Sequence, residues 1–316
     1  MSERASFPLL PYDYVVGQRT LRRLLEVAYV MGSSVGGVLV SGERGTAKST
    51  IVRSFATMMH GRLPVTLPIN ATDDRVMGGW QIDSLVRGKA DWQKGLLAQA
   101  GEAGMLYIDE VNLLDDHIIN LILDVVSTGL LVVEREGMDD SQIDVSFMLV
   151  GTMNPEEGSL RPQLLDRFGL FVPVEAERTP QTRRDILLTV LKFDIERDQD
   201  HSSWLDLGRR RDAEQRVHVE QAKRAARGVE LTDVTIDLCA RIAAAFDVVG
   251  HRAEIVMAEG ARATAALAGR RATMPDDVVG IAPHAVMHRR REAAYADGIA
   301  WSDEDVNRLA QVIAER

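Results

Sequence analysis

With 316 residues, 46% hydrophobic and 27% charged, the chain is long enough to bury a sizeable core and reads as two globular domains. A single cysteine, Cys239, excludes an internal disulfide and points to a reducing compartment; with neither a leader pattern nor an apolar run of about 18 residues, no membrane span and a cytoplasmic location are expected. A formal net charge of −10 argues against a dedicated nucleic-acid binder, which needs a basic footprint.

The N-terminal stretch carries Pro8, Pro11 and Val15-Val16-Gly17-Gln18, then a helical pattern from Arg19 to Met31. Gly17 and Gln18 lie just ahead of the next landmark, where they either pack against an adenine ring or belong to the core. That landmark is Val38 to Thr50. A β-branched apolar run reads as a buried strand, and Gly42-Glu43-Arg44-Gly45-Thr46-Ala47-Lys48-Ser49 follows in the spacing of a phosphate-binding loop that opens a helix. The glycines let successive backbone N–H groups and the positive helix end face phosphate oxygens. Lys48 would reach the β- and γ-phosphates, and the Ser49 hydroxyl would ligand Mg²⁺. Ala47 stands where glycine normally precedes the lysine; it keeps the N–H and is compatible with helical φ/ψ, so the loop is expected to work unless the backbone there needs positive φ. Val52, Phe55, Ala56 and Met59 then form one apolar helix face.

Thr66 to Asn70 reads as a strand, and Thr72 to Lys94, broken by Gly78-Gly79-Trp80 and Gly88, as a surface insertion in which Trp80 and Trp92 either anchor it, the favoured reading, or face a partner. Met105 to Ile108 is apolar and delivers Asp109-Glu110 to a strand's carboxyl end, where ligands bind in open α/β sheets. Asp109 would hold hydrated Mg²⁺ and Glu110 would orient or deprotonate the attacking water. A helix follows from Asp115-Asp116 with Ile118, Leu121, Ile122 and Val125 inward, then a hairpin from Leu130 to Val133 and Ile143 to Val145. Phe147 to Val150 is a buried strand that delivers Asn154, placed either to bond the catalytic water and the γ-phosphate or simply to form a turn before Pro155. Arg161 and Arg167 are either surface ion pairs or, for Arg167, a group that reaches into a neighbouring subunit's site. Phe171 to Val174 completes the sheet, with Pro173 marking an edge.

From Thr179 the patterns are helical. Arg209 to Arg227 is a solvated helix or loop; Thr232-Asp233 cap a helix with Ile236, Cys239, Ala240 and Ala243 inward; Arg252 begins another after Gly250; Met274-Pro275 starts a further one. His284, His288 and Arg289 to Arg291 read as a solvated helix, and Ser302 caps a last helix with Val306, Leu309, Ala310 and Ile313 inward. The fold expected is α/β, a parallel-sheet core over 1–178 with a smaller all-helical lid over 179–316.

This order of parts resembles that of AAA+ ATPases. Leu106 to His117, Val133 to Gly137, Asn154 to Gly158 and Leu160 to Gly169 resemble the ATPase (I) subunit of magnesium chelatase, closely over about residues 8–180 and more loosely beyond. The resemblance implies a Walker A lysine and hydroxyl at Lys48 and Ser49, Walker B at Asp109 and Glu110, a first sensor at Asn154, an arginine finger at Arg167 acting across a subunit boundary, and a second sensor at Arg252. It also implies a helix insert at Thr72 to Lys94 and a pre-sensor hairpin at Glu134 to Val145. ATP and Mg²⁺ would be the cofactors. The partners implied are copies of the chain in a ring, a hexamer, a D-type subunit with an integrin-type metal-binding domain, and a large tetrapyrrole-binding subunit. A stretch between His60 and Thr66 shorter than in photosynthetic subunits leaves a cobalt-inserting relative open, as well as a MoxR-like ATPase that remodels a protein client. A DNA motor is a third reading.

Overall fold

The computed structural model describes residues 9–80, 92–133, 141–291 and 299–314. The first helix, α1 (Arg19–Met31), leads through a short 3-10 turn to β1 (Val38–Ser41) and α2 (Lys48–His60). Then come β2 (Val65–Leu67), α3 (Asp73–Met77), β3 (Gly78–Trp80), β4 (Trp92–Lys94), α4 (Leu96–Ala103) and β5 (Met105–Ile108). After α5 (Asp116–Thr128), β6 (Leu130–Val133) pairs antiparallel with β7 (Ser141–Asp144) as the expected hairpin, and β8 (Met148–Met153), α6 (Pro162–Leu165) and β9 (Leu170–Pro173) close the sheet-bearing part. Gly88, in the insertion, and Glu134 to Gly137, in the hairpin, lie outside the described residues.

Five strands form a parallel sheet in the order β2-β5-β8-β1-β9. β1, β5 and β8 are buried along their whole lengths, as unbroken apolar runs covered on both faces should be. β9 is one of the two edge strands, and Pro173 ends it where no ladder donor is needed. The order places the carboxyl ends of β5, β8 and β1 side by side. Ile108 is in register with Gly151 and Ser41 with Met153, so the residues that follow these strands share one rim.

The helical part comprises α7 (Pro180–Glu196), α8 (Ser203–Ala226), α9 (Asp233–Ala245), α10 (Arg252–Leu267), α11 (Pro275–Val279), α12 (Ala282–Val286) and α13 (Asp303–Ala314). Its apolar residues join those of α1 and α2 in one continuous core, so the lid is seated on the α1 and α2 face of the sheet. The opposite face is covered by α4, α5 and α6. Among the described residues no helix is long and apolar enough to cross a membrane.

Three expectations change here. In α9 Cys239 and Ala243 are buried as expected, but they share the inward face with Thr235, Leu238 and Ile242, whereas Ile236 and Ala240 are exposed. Thr235 is tolerated inside because its hydroxyl bonds Thr273 and Thr232. In α13 the buried set is Asp305, Leu309 and Val312, with Val306 outward; Asp305 is held by Arg290 and by the backbone N–H of Ser302. The largest change concerns His284, His288 and Arg289, which are no solvated helix. They are a largely buried seam between the lid and β9: His284 Nδ1 donates to Phe171 O at 2.9 Å and His288 Nε2 to Phe168 O at 2.9 Å, while Arg289 is 3% exposed.

Candidate active site

A pocket of about 320 Å³ opens on the rim formed by β5, β8 and β1, lined by Arg44 to Thr50, Asp109, Glu110, Thr152, Met153 and Asn154. The loop from β1 to α2 wraps its floor. Gly42 is required because a Cβ there would lie 2.1 Å from Val174 O. Gly45 has φ +80° with open space around it, which leaves the loop concave and its N–H groups accessible. Ala47 adopts φ 63°, ψ 16°, so this backbone does need the left-handed region and the helical geometry expected of Ala47 is not what it takes. The chain still makes the turn, at the steric cost of a Cβ facing the following carbonyl.

Lys48 Nζ donates to Gly42 O and, at 2.7 Å, to Glu43 O. Partial burial pulls its pKa below the ordinary lysine value, opposed by the carboxylates of Asp109 and Glu110. An ammonium held by carbonyls above an open loop, with acids opposite, suits a polyanionic ligand carrying a cation.

Between loop and acids lies a network that the motif reading overlooked. The Tyr107 hydroxyl donates to Asp109 Oδ1 at 2.8 Å and sits 2.9 Å from Ser49 Oγ. Thr152 Oγ1 donates to the same Asp109 oxygen at 2.8 Å and accepts from the Glu110 N–H at 3.3 Å. Burial pushes the Tyr107 hydroxyl up to about 12, so it remains a donor at neutral pH. The signal was present: a tyrosine and a threonine inside buried strands must find polar partners. Ser49 and Asp109 thus stand as two oriented hard-oxygen groups, a donor set that fits Mg²⁺.

Glu110 sits at φ 55°, ψ 55°, a strained conformation for a non-glycine residue at the end of a strand. Arg44 at the pocket mouth pairs with Glu157 and, at 3.5 Å, with Glu110. Asn154 is buried; its Oδ1 caps a short turn by accepting from Glu156 N–H at 3.3 Å, and it lines the pocket as well. The turn before Pro155 is therefore present, and the side chain also faces the pocket.

Other site candidates stand apart from this pocket. Gly17 and Gln18 pack on the segment after β9: Gln18 N–H donates to Glu177 Oε1 at 2.8 Å and Gln18 Nε2 to Glu175 O at 2.6 Å. Arg167 turns toward α5, donating to Asn120 Oδ1 at 3.1 Å and pairing with Asp124. Arg252, the first residue of α10, donates to Asp166 O at 2.9 Å. Arg252 thus contacts the residue preceding Arg167, and neither arginine is among the residues lining the chain's own phosphate-loop pocket.

The family model for an AAA domain of the dynein-related subfamily matches residues 37–168, and that for an AAA lid domain matches residues 236–313. An uncharacterized protein of Mycobacterium tuberculosis is 40% identical over 294 residues, 91% of this chain but 46% of that longer protein. The magnesium-chelatase 38 kDa subunit of Cereibacter sphaeroides is 36% identical over 314 residues, 89% of this chain and 92% of that subunit. The chain belongs to the magnesium-chelatase I-subunit family of AAA+ ATPases. A solved structure of a Cytophaga hutchinsonii protein described as an ATPase matches at TM-score 0.66 and 18% identity, over 97% of this chain and 92% of that one, and so shares the fold. As a member of the I-subunit family the chain is an ATP-hydrolysing enzyme, and the residues lining the pocket fall within the matched AAA domain.

Proposed function

We propose that this I-subunit homologue is the Mg²⁺-dependent ATPase motor of a metal chelatase, whose hydrolysis drives partner subunits to insert magnesium or cobalt into a tetrapyrrole. The observation that carries this reading is the likeness to a magnesium-chelatase subunit along nearly the whole of both chains. On this reading Lys48 and the loop N–H groups hold the β- and γ-phosphates, and Ser49 and Asp109, preset by Tyr107 and Thr152, hold Mg²⁺. When bound, the ion neutralises charge on the phosphate oxygens. Glu110 takes the proton of the attacking water, and Asn154 steadies that water against the γ-phosphate. Arg167 completes the site of the next copy in a ring, because it stands away from its own loop; Arg252, bonded to the residue before Arg167, serves the same seam.

Two experiments test the proposal. Chains carrying Lys48→Ala and chains carrying Arg167→Ala are each expected to be inactive, and mixtures to recover ATPase activity, since one seam then holds both intact groups. No recovery at any ratio counts against completion in trans. Adding a D-type subunit, the large tetrapyrrole-binding subunit, a porphyrin and metal is expected to give ATP-dependent metal insertion, seen by absorbance. ATP-dependent release of a protein client without insertion would instead assign the motor to remodelling.

A further inference from the structure

The segment 166–169, which carries Arg167, is gripped by the lid through one side chain. A guanidinium has five N–H donors, and Arg289 uses all of them. Nε donates to Asp166 Oδ1 at 3.1 Å; Nη2 donates to Asp166 O at 2.8 Å and to Phe168 O at 2.5 Å; Nη1 donates to Gly169 O at 2.9 Å and to Ala285 O at 2.6 Å. The carbonyls on either side of Arg167 are thus tied to the same group. His288 Nε2 adds a second bond to Phe168 O, and Arg252 a second to Asp166 O. Phe168 itself is fully buried, and the Arg289 side chain has no exposed surface.

A buried, fully satisfied guanidinium fixes geometry: its planar fork tolerates little displacement of the acceptors, and removing it strands several buried carbonyls. The peptide before Arg167 and the one after Phe168 cannot shift without Arg289, and Arg289 is anchored to α12 through Ala285 O. Lid and arginine-bearing segment therefore form one mechanical unit, although the sheet-bearing part supplies Arg167.

We infer that Arg289 is a positioning residue for Arg167, coupling the lid's placement to the aim of Arg167 at the neighbouring copy's nucleotide. This rests on the proposed action of Arg167 across the seam. It makes the lid a transmitter: a lid displaced by events at one site would re-aim Arg167 at the next.

The test uses full-length chains. Arg289→Lys keeps the charge but loses the fork, and is expected to lower kcat about 10-fold or more, as misplacement of a group acting on the transition state does, while ATP affinity stays within about twofold. Mixed with Lys48→Ala chains it should recover activity, because those chains bring a correctly held Arg167 to an intact phosphate loop. An unchanged kcat, a parallel loss of ATP binding, or no recovery on mixing would overturn the inference. If recovery fails here but succeeds for Arg167→Ala with Lys48→Ala, the inference alone falls; if both fail, the proposed trans action falls. Should Arg289→Lys not fold, Asp166→Asn is assayed the same way, since it weakens the Asp166 side-chain contacts with Arg289 and Arg252 and leaves the Phe168 and Gly169 carbonyls held. The same pattern is expected at smaller size, and an Asp166→Asn enzyme of wild-type kcat would overturn the inference.

Discussion

The Tyr107 hydroxyl lies 2.8 Å from the Asp109 carboxylate and 2.9 Å from the Ser49 hydroxyl, so a single strand residue ties the acid at the end of β5 to the first turn of α2. Groups that orient a metal's ligands typically matter about 10- to 100-fold in metal affinity. Tyr107→Phe keeps the ring in the core and deletes only the bridge. The Mg²⁺ concentration giving half-maximal ATPase activity is expected to rise about 10-fold, with a smaller change at saturating Mg²⁺. Superimposable Mg²⁺ titrations would reduce Tyr107 to a packing residue.

Ala47 pays for its place in the loop with a φ of +63°. An L-residue there costs about 1–2 kcal/mol, while glycine adds unfolded-state entropy of about 0.4–1 kcal/mol. Ala47→Gly is therefore expected to stabilise the chain by about 0.5–1 kcal/mol, read as a higher urea midpoint at unchanged slope. Ala47→Val, β-branched at the same φ, should do the reverse. A destabilised Ala47→Gly chain would mean that the left-handed turn carries no net strain.

How legible all this was depends on where each group's partner lies in the sequence. α1 is found over Arg19–Met31, as its periodicity predicts, and the apolar face of α2 is buried at Val52, Phe55, Ala56 and Met59, because local spacing alone determines which side meets the core. The meeting of the loop with Asp109-Glu110 at one pocket was readable for the same reason. The inward faces of α9 and α13 came out rotated because Thr235 and Asp305 are buried against partners outside their own helices, Thr273 and Arg290. A polarity pattern scores such residues as outward. His288 and Arg289 were misread more completely: most of their acceptors are backbone carbonyls of 166–169, about 120 positions earlier, and a carbonyl has no letter in the sequence.

Glu110 carries the heaviest chemical role in the proposed mechanism, and its carboxylate is accessible at the pocket with Arg44 nearby. Glu110→Gln preserves shape and removes the base. Turnover is expected to fall about 10²-fold or more, with nucleotide affinity held, because removal of a general base acts on the transition state. The check is equilibrium binding of ATP beside steady-state hydrolysis. A loss of binding in proportion to rate would move Glu110 from chemistry to nucleotide recognition.

The seam also predicts a pH dependence. His288 Nε2 must carry the proton it donates to Phe168 O, which leaves Nδ1 bare, buried and without a partner. Burial, reinforced by the Arg289 charge, holds the imidazole pKa well below its ordinary value, and His284 is lowered as well, chiefly by burial and further by Arg23. In the unfolded chain a histidine takes up a proton below about pH 6.5, whereas the folded seam does not. The unfolded state then binds more protons, so stability rises with pH, is complete above about pH 6.5, and is lost as pH falls below it, by up to about 1.4 kcal/mol per pH unit for each histidine. His288→Gln keeps an N–H for Phe168 O and cannot titrate. Urea unfolding at about pH 7.5, 6.5 and 5.5 should show the wild-type chain losing stability more steeply than His288→Gln on the acid side. Parallel curves would mean that His288 is protonated alike in both states, and the bare Nδ1 would then need a partner.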